Sequence, residues 1–205
     1  MIAIVDYGVG NLFSLRCSLQ TLGADAEVTG DPARLRAADK ILLPGVGAFA
    51  DAAGKLRQTG LSDVIVEQAA AGKPLLGICL GMQLLFTKSL EYGEHPGLGL
   101  IDGCVAPLRG VVPDDYKVPH IGWNALRFPA DRPKHPLMRD VREGDCVYFV
   151  HSYYATDCAD AVIATADYGA DVTAAVAKGN VMGTQFHPEK SGAVGLSILR
   201  AFCEL

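Results

Sequence analysis

Three short apolar runs, Ile2–Val5, Ile41–Leu43 and Leu75–Ile78, lack the alternation of a sheet with one wet face, and helix-like segments lie between them. Strands buried on both faces and separated by helices imply a mainly parallel sheet covered on both sides. After the first run and a Gly8-Val-Gly10 turn, Leu12, Leu15, Leu19 and Leu22 recur three and four apart, so Asn11 to Leu22 reads as a helix stopped by Gly23. Ala26–Thr29 reads as a second strand, and Asp31-Pro32 as an N-cap with proline at the first helical position. Ser62 reads as the N-cap of a helix through Ala71 that Gly72 closes.

From about Gly97 the pattern changes. Cys104–Pro107, Cys146–Val150, Val172–Ala177 and Val181–Gln185 are short segments separated by Gly, Pro and Asp, which reads as strands joined by turns. Gly195–Glu204, with Leu196, Leu199 and Phe202 on one face, reads as a closing helix. The expected architecture is a three-layer α/β domain over residues 1–205: a mostly parallel central sheet flanked by helices, with extra antiparallel strands in the C-terminal half.

Composition narrows the functional classes. The chain has 205 residues, 50% of them hydrophobic and 20% charged, as in an ordinary globular protein. A net charge of -5 without any Lys/Arg run argues against nucleic acid or an anionic membrane as partner. No apolar run approaches the ~20 residues of a membrane span. Met1-Ile-Ala-Ile-Val-Asp6 has no basic leader and reads as a strand, not a signal peptide. The six cysteines lie far apart with no C-x-x-C pair, favouring neither a zinc site nor a disulfide framework. The expectation is a cytoplasmic protein with reduced thiols acting on a small molecule.

The chemistry centres on Cys79, which lies in the run Lys73-Pro-Leu-Leu-Gly-Ile-Cys-Leu-Gly81, between a short apolar strand and a helix-like stretch. A side chain on a sharp strand-to-helix turn is lifted clear of the sheet, and a helix N-terminus favours thiolate over thiol. Among five histidines, His187 stands out because Glu189 follows it two residues later across Pro188. In an extended segment i and i+2 project to one side, so Glu189 can hold the imidazole while its other nitrogen faces the thiol. Attack on an amide carbonyl also needs donors for a developing oxyanion. The N–H of Leu80 and a flexible backbone N–H of the Pro44-Gly-Val-Gly47 loop can supply them at the carboxyl ends of neighbouring strands.

Each element also has a plainer reading. Cys79 alone could be a small buried hydrophobe, His187-Pro-Glu189 a turn, Trp123 a core aromatic and Lys190 a solvated charge. Gly45-Val-Gly47-Ala-Phe-Ala50 matches a dinucleotide-binding G-x-G-x-x-A, although Pro44 and the weak helix start after it argue against that reading. The conjunction of elbow cysteine, His-x-Glu and glycine-rich loop is what favours nucleophilic catalysis.

Gly77-Ile-Cys-Leu-Gly-Met-Gln83 with Gln185-Phe-His-Pro-Glu189 resembles the class I, triad-type glutamine amidotransferase family, whose fold is flavodoxin-like. Asp6-Tyr-Gly-Val-Gly-Asn11, Leu43-Pro-Gly-Val-Gly-Ala-Phe49, Pro119-His-Ile-Gly-Trp-Asn124, Tyr148-Phe-Val-His-Ser-Tyr153 and His187-Pro-Glu-Lys-Ser191 extend the similarity to members that feed a cyclase in histidine biosynthesis. The resemblance implies glutamine as substrate, Cys79 as nucleophile, His187 as base and acid, and Glu189 as its orienting acid. It implies that Gln83, His151, Ser152 and Tyr153 hold glutamine, and that Gly47 and Leu80 serve the oxyanion. It further implies that Asn11, Trp123 and Lys190 face a (β/α)8-barrel cyclase in a heterodimer, near an ammonia passage, with no metal or organic cofactor. A free-standing hydrolase, another pathway's amidotransferase subunit, and a non-catalytic module on the same fold remain open at this level.

Overall fold

The computed structural model describes residues 1–205. Its first half alternates strand and helix as the apolar runs require. β1 (Ile2–Val5) leads to α1 (Leu12–Thr21), β2 (Ala26–Thr29), α2 (Pro32–Ala37), β3 (Lys40–Gly45), α3 (Phe49–Gln58), α4 (Leu61–Ala70) and β4 (Leu75–Cys79). Asp31 caps α2 as its sequence implies, its side chain accepting from the Ala33 N–H at 2.8 Å. The start of α4 differs from expectation. Gly60, at φ 71°, is the N-cap, and Ser62 lies buried inside the first turn. The left-handed entry demands glycine there, and a side-chain cap is not used.

After β4 come the five-residue α5 (Leu80–Leu84), β5 (Phe86–Ser89), β6 (His95–Pro96), β7 (Ile101–Pro107), β8 (His120–Arg127), β9 (Cys146–His151), β10 (Tyr153–Thr156), β11 (Val162–Asp167), β12 (Asp171–Lys178), β13 (Val181–Thr184) and α6 (Gly192–Glu204). In α6 the buried face is set by Gly195, Ile198, Leu199 and Phe202, with Leu196 only half-buried.

The main sheet has nine strands in the order β2-β1-β3-β4-β13-β12-β11-β8-β9. Pairing is parallel from β2 through β13 and antiparallel from β13 to β9. A second sheet, β10-β7-β5-β6, packs on one side. Both faces of the parallel half are covered, and the strands divide their side chains accordingly. Ala3, Val5, Ile41 and Leu43 join Phe49, Leu56, Leu61 and Ile65 of α3 and α4. Ile2, Ile4, Leu42, Leu76 and Ile78 join Leu15 and Leu19 of α1 and Ile198, Leu199 and Phe202 of α6. This is the three-layer α/β arrangement, in which burial of each large side chain contributes about 1.5–3 kcal/mol.

Two glycines decide how α5 seats. A Cβ on Gly81 would lie 1.8 Å from the Leu43 carbonyl oxygen, and one on Gly77 2.6 Å from the Gly81 oxygen. These glycines permit close packing of helix on sheet, whereas the turn itself is made by Cys79 at φ 56°, ψ -112°. Gly81→Ala should therefore lower stability by about 3 kcal/mol or more, measured by urea unfolding. Gly54→Ala, inside α3 with open space around it, should raise stability by about 0.5–1 kcal/mol.

Candidate active site

β3, β4 and β13 run parallel and side by side, with Gly45 opposite Cys79 and Ile78 opposite Thr184. Their carboxyl ends therefore release the Gly45–Gly47 loop, the Cys79 elbow and the 185–190 segment at one rim, where ligands of open α/β sheets collect. A cleft of about 520 Å³ opens there, lined by Gly47, Cys79, Leu80, Gln83, His151, Ser152, Tyr153, His187 and Lys190. Val46, Glu91, Tyr92, Arg109 and Pro119 also line it, and none of these five was singled out from the sequence. Glu91, Tyr92 and Arg109 lie in connections with no motif of their own, so nothing local marks them.

Glu189 stands behind His187, its Oε1 2.8 Å from His187 Nδ1, and both side chains are only 3% exposed. The route differs from the extended one expected. Pro188–Lys190 is a 3-10 turn, fixed by Ser191 Oγ donating to the His187 carbonyl and by the His187 N–H on the Tyr148 carbonyl. With Glu189 accepting at Nδ1, Nε2 is the nitrogen left for the thiol of Cys79. Burial by itself pushes the His187 imidazole down, but hydrogen bonds with Cys79 and Glu189 outweigh it and raise it to about 9. An imidazole of that basicity holds its proton at neutral pH, beside a sulfur and a carboxylate that both favour the charge.

His151 and His120 behave in the opposite way. His151 Nδ1 lies 2.8 Å from the Tyr153 carbonyl, which can only accept, so Nδ1 carries the proton. Its Nε2 then accepts from His120 Nδ1 at 3.0 Å. Burial drives His151 down to about 3 and His120 to about 4. Both are neutral, oriented rings, and His120 is stacked between Phe149 and Tyr168. Gln83 makes its donations inside the protein, to the Tyr153 carbonyl at 3.0 Å and Gln185 Oε1 at 2.9 Å. Gln185, quoted above only as part of a motif, is thus drawn into the site.

The glycine-rich loop does lead into a helix, α3, contrary to the weak start expected of it. Its first N–H is already taken, because Glu91 Oε2 accepts from the Phe49 N–H at 2.6 Å. A carboxylate at that position would repel a pyrophosphate, which removes the dinucleotide reading. Trp123 is 57% exposed, so it is not a core aromatic. Its ring meets Tyr148 edge-on at 6.2 Å, and Lys190 Nζ sits 5.8 Å from the same Tyr148 ring. Asn11 is the N-cap residue of α1, without a side-chain cap bond. Asn11 and Trp123 lie outside the cleft lining, whereas Lys190 reaches its edge.

These shifts fix signs for stability. His187, raised in the folded state, contributes stability that is present below its unfolded value of about 6.5 and lost as pH rises through about 9. His120 and His151, lowered, contribute stability present above about 6.5 and lost as pH falls towards 4 and 3. At pH 6, nitrogen-15 NMR should show His187 doubly protonated and the other two rings with one proton each, on Nδ1.

The model of the family Glutamine amidotransferase class-I matches residues 3–204. The imidazole glycerol phosphate synthase subunit HisH of Geobacillus sp. (strain WCH70) is 51% identical over 208 residues, covering 100% of this chain and 97% of the relative. The subunit of the same name from Geobacillus kaustophilus (strain HTA426) is 53% identical, covering 98% and 95%. A solved structure described as a glutamine amidotransferase superposes with a TM-score of 0.77 at 20% identity, covering 100% of this chain and 98% of that one. An elbow thiol, a charged imidazole backed by a buried carboxylate, and full-length likeness to these relatives lead to one assignment: the chain belongs to the class-I glutamine amidotransferases, in the group of HisH subunits.

Proposed function

We propose that this chain is the glutaminase subunit of an imidazole glycerol phosphate synthase, with Cys79, His187 and Glu189 as its catalytic triad. The single observation that carries the reading is His187, held by Glu189 at 2.8 Å and lining the same cleft as Cys79. The Cys79 thiolate attacks the side-chain amide carbon of glutamine and forms an S–C bond. The C–N bond then breaks, His187 gives its Nε2 proton to the departing nitrogen, and ammonia leaves. Water adds to the glutamyl thioester, His187 takes its proton, and glutamate leaves with the thiolate restored. Glu189 keeps the imidazole in one tautomer and stabilises its charged form throughout.

Leu80 occupies the first helical position of α5, where an N–H has no intrahelical partner, and this supports its assignment as one oxyanion donor. Gly47 lines the same cleft at φ 94° with open space about its α-carbon, which supports the second. Gln83, His151, Ser152 and Tyr153 form the wall that would hold glutamine. Since His151 is neutral and spends its Nδ1 proton on Tyr153, its part is to shape that wall and not to exchange protons.

The ammonia goes to a (β/α)8-barrel cyclase, which forms imidazole glycerol phosphate and aminoimidazole carboxamide ribotide in histidine biosynthesis. The names of the relatives support a synthase partner. Exposed Phe13, Ile121 and Trp123, with Asn11 and Lys190, supply apolar and polar surface for it. No helix is long and apolar enough to cross a membrane.

Cys79→Ala should abolish glutamine hydrolysis while the complex still turns over with ammonium salts. Glutaminase activity near that of the parent would overturn the assignment. Glu189→Gln should lower kcat by about 10²–10⁴-fold with little change in fold, as loss of an orienting carboxylate does elsewhere. Trp123→Ala should weaken association with the cyclase about tenfold or more, measured by calorimetric titration.

A further inference from the structure

One buried side chain places a hydrogen-bond donor on the sulfur. Gln185 is fully buried, and its Nε2 lies 3.8 Å from Cys79 Sγ. Which end of this amide faces the sulfur is decided by its neighbours. The Tyr153 carbonyl only accepts, so the Gln83 atom 3.0 Å from it must be the NH2 group. That nitrogen also lies 2.9 Å from Gln185, which therefore presents its oxygen there and its NH2 to the sulfur. Turning either amide over would set two oxygens or two NH2 groups against each other. The Tyr153 carbonyl is held in turn by His151 Nδ1, and His151 by His120. His151 and Gln83 thus meet as donors on one carbonyl, and the orientation this imposes on Gln83 turns the Gln185 NH2 group to the thiol.

We propose that Gln185 is a catalytic residue that donates a hydrogen bond to Cys79 Sγ, holding the thiolate charged and aimed before attack and again when it leaves the thioester. A hydrogen bond made to the ionised form favours that form. No proton leaves Gln185. As the S–C bond forms, charge passes from sulfur to the carbonyl oxygen and the Gln185 bond weakens; it strengthens when the thioester breaks.

The titratable groups facing the sulfur leave few other donors. Tyr7, beyond β1, gives its hydroxyl proton to the Pro44 carbonyl at 2.9 Å, and burial with the nearby Cys79 disfavours its ionisation. His151 of β9 is neutral, Glu189 faces His187, and Glu91 and Lys190 lie on the cleft wall. Gln185 is then the side-chain donor placed on the sulfur, in the cleft that His187 also lines.

The inference rests on the reading of Cys79 as nucleophile. The test is the rate at which chloroacetamide labels Cys79 in the full chain across pH 5–10, read on the Cys79 peptide by mass spectrometry. Gln185→Met and Gln185→Leu remove the donor with two different shapes, and circular dichroism selects the variant that keeps the fold. The labelling midpoint should rise by about one pH unit, with the high-pH plateau unchanged. An unmoved midpoint, with or without a lower plateau, would overturn the proposal, since a structural role alters access and not thiolate population. Glutamine hydrolysis by Cys79→Ala would defeat the reading of the site itself, whereas an unmoved midpoint beside an inactive Cys79→Ala removes only the part given to Gln185.

Discussion

The seating of α5 on the carbonyl of Leu43 is the constraint from which the site follows. Only a residue without a side chain fits at Gly81, so the helix lies directly on β3 and the chain must reverse within one residue. That residue is Cys79, held in a left-handed conformation that costs a non-glycine residue about 1–3 kcal/mol. The surrounding core offsets this cost, because Leu80, Met82 and Leu84 are all buried. Local strain and global packing are thus coupled: the same contacts that stabilise the fold hold the thiol at the carboxyl rim of the sheet.

Electrostatics at that rim separates histidines that composition alone would treat alike. His187 has a carboxylate on one side and a thiol on the other, and the charged form wins over burial. His151 and His120 are buried with only each other, an amide and carbonyl groups for partners, and burial wins. One ring is built to hold and release a proton, whereas the other two are struts. The difference lies in a carboxylate two residues away in sequence, placed by a 3-10 turn.

Much of this was legible in the chain. The parallel half showed in its unalternated apolar runs, the elbow in Gly77-Ile-Cys-Leu-Gly81, and the proximity of His187 and Glu189 in their spacing. The antiparallel half was only partly legible: β8 and β10 show no clean period and pair with strands distant in sequence, whereas β11 forms a hairpin with β12 across the turn at Gly169. Gln185 was invisible as more than a motif letter because its role depends on Gln83, 102 residues away. Glu91 was missed because its bond to the start of α3 joins two different sheets' surroundings. Ser62 misled because its residue type suits a cap, while the backbone at Gly60 had already turned left-handed.

The opposite rim of the parallel sheet has a different character. Left-handed Gly23, Gly72 and Gly179 stand at the turns that enter β2, β4 and β13, each with open space where a side chain would go. None of the cleft-lining residues lies there. Length changes, new termini or grafted segments at that rim would leave the elbow and its partners in register, whereas a one-residue change between Leu75 and Gly81 would rotate the thiol out of the cleft. The sheet therefore divides into one rim whose turns stand clear of the cleft and another where even the residue count is fixed.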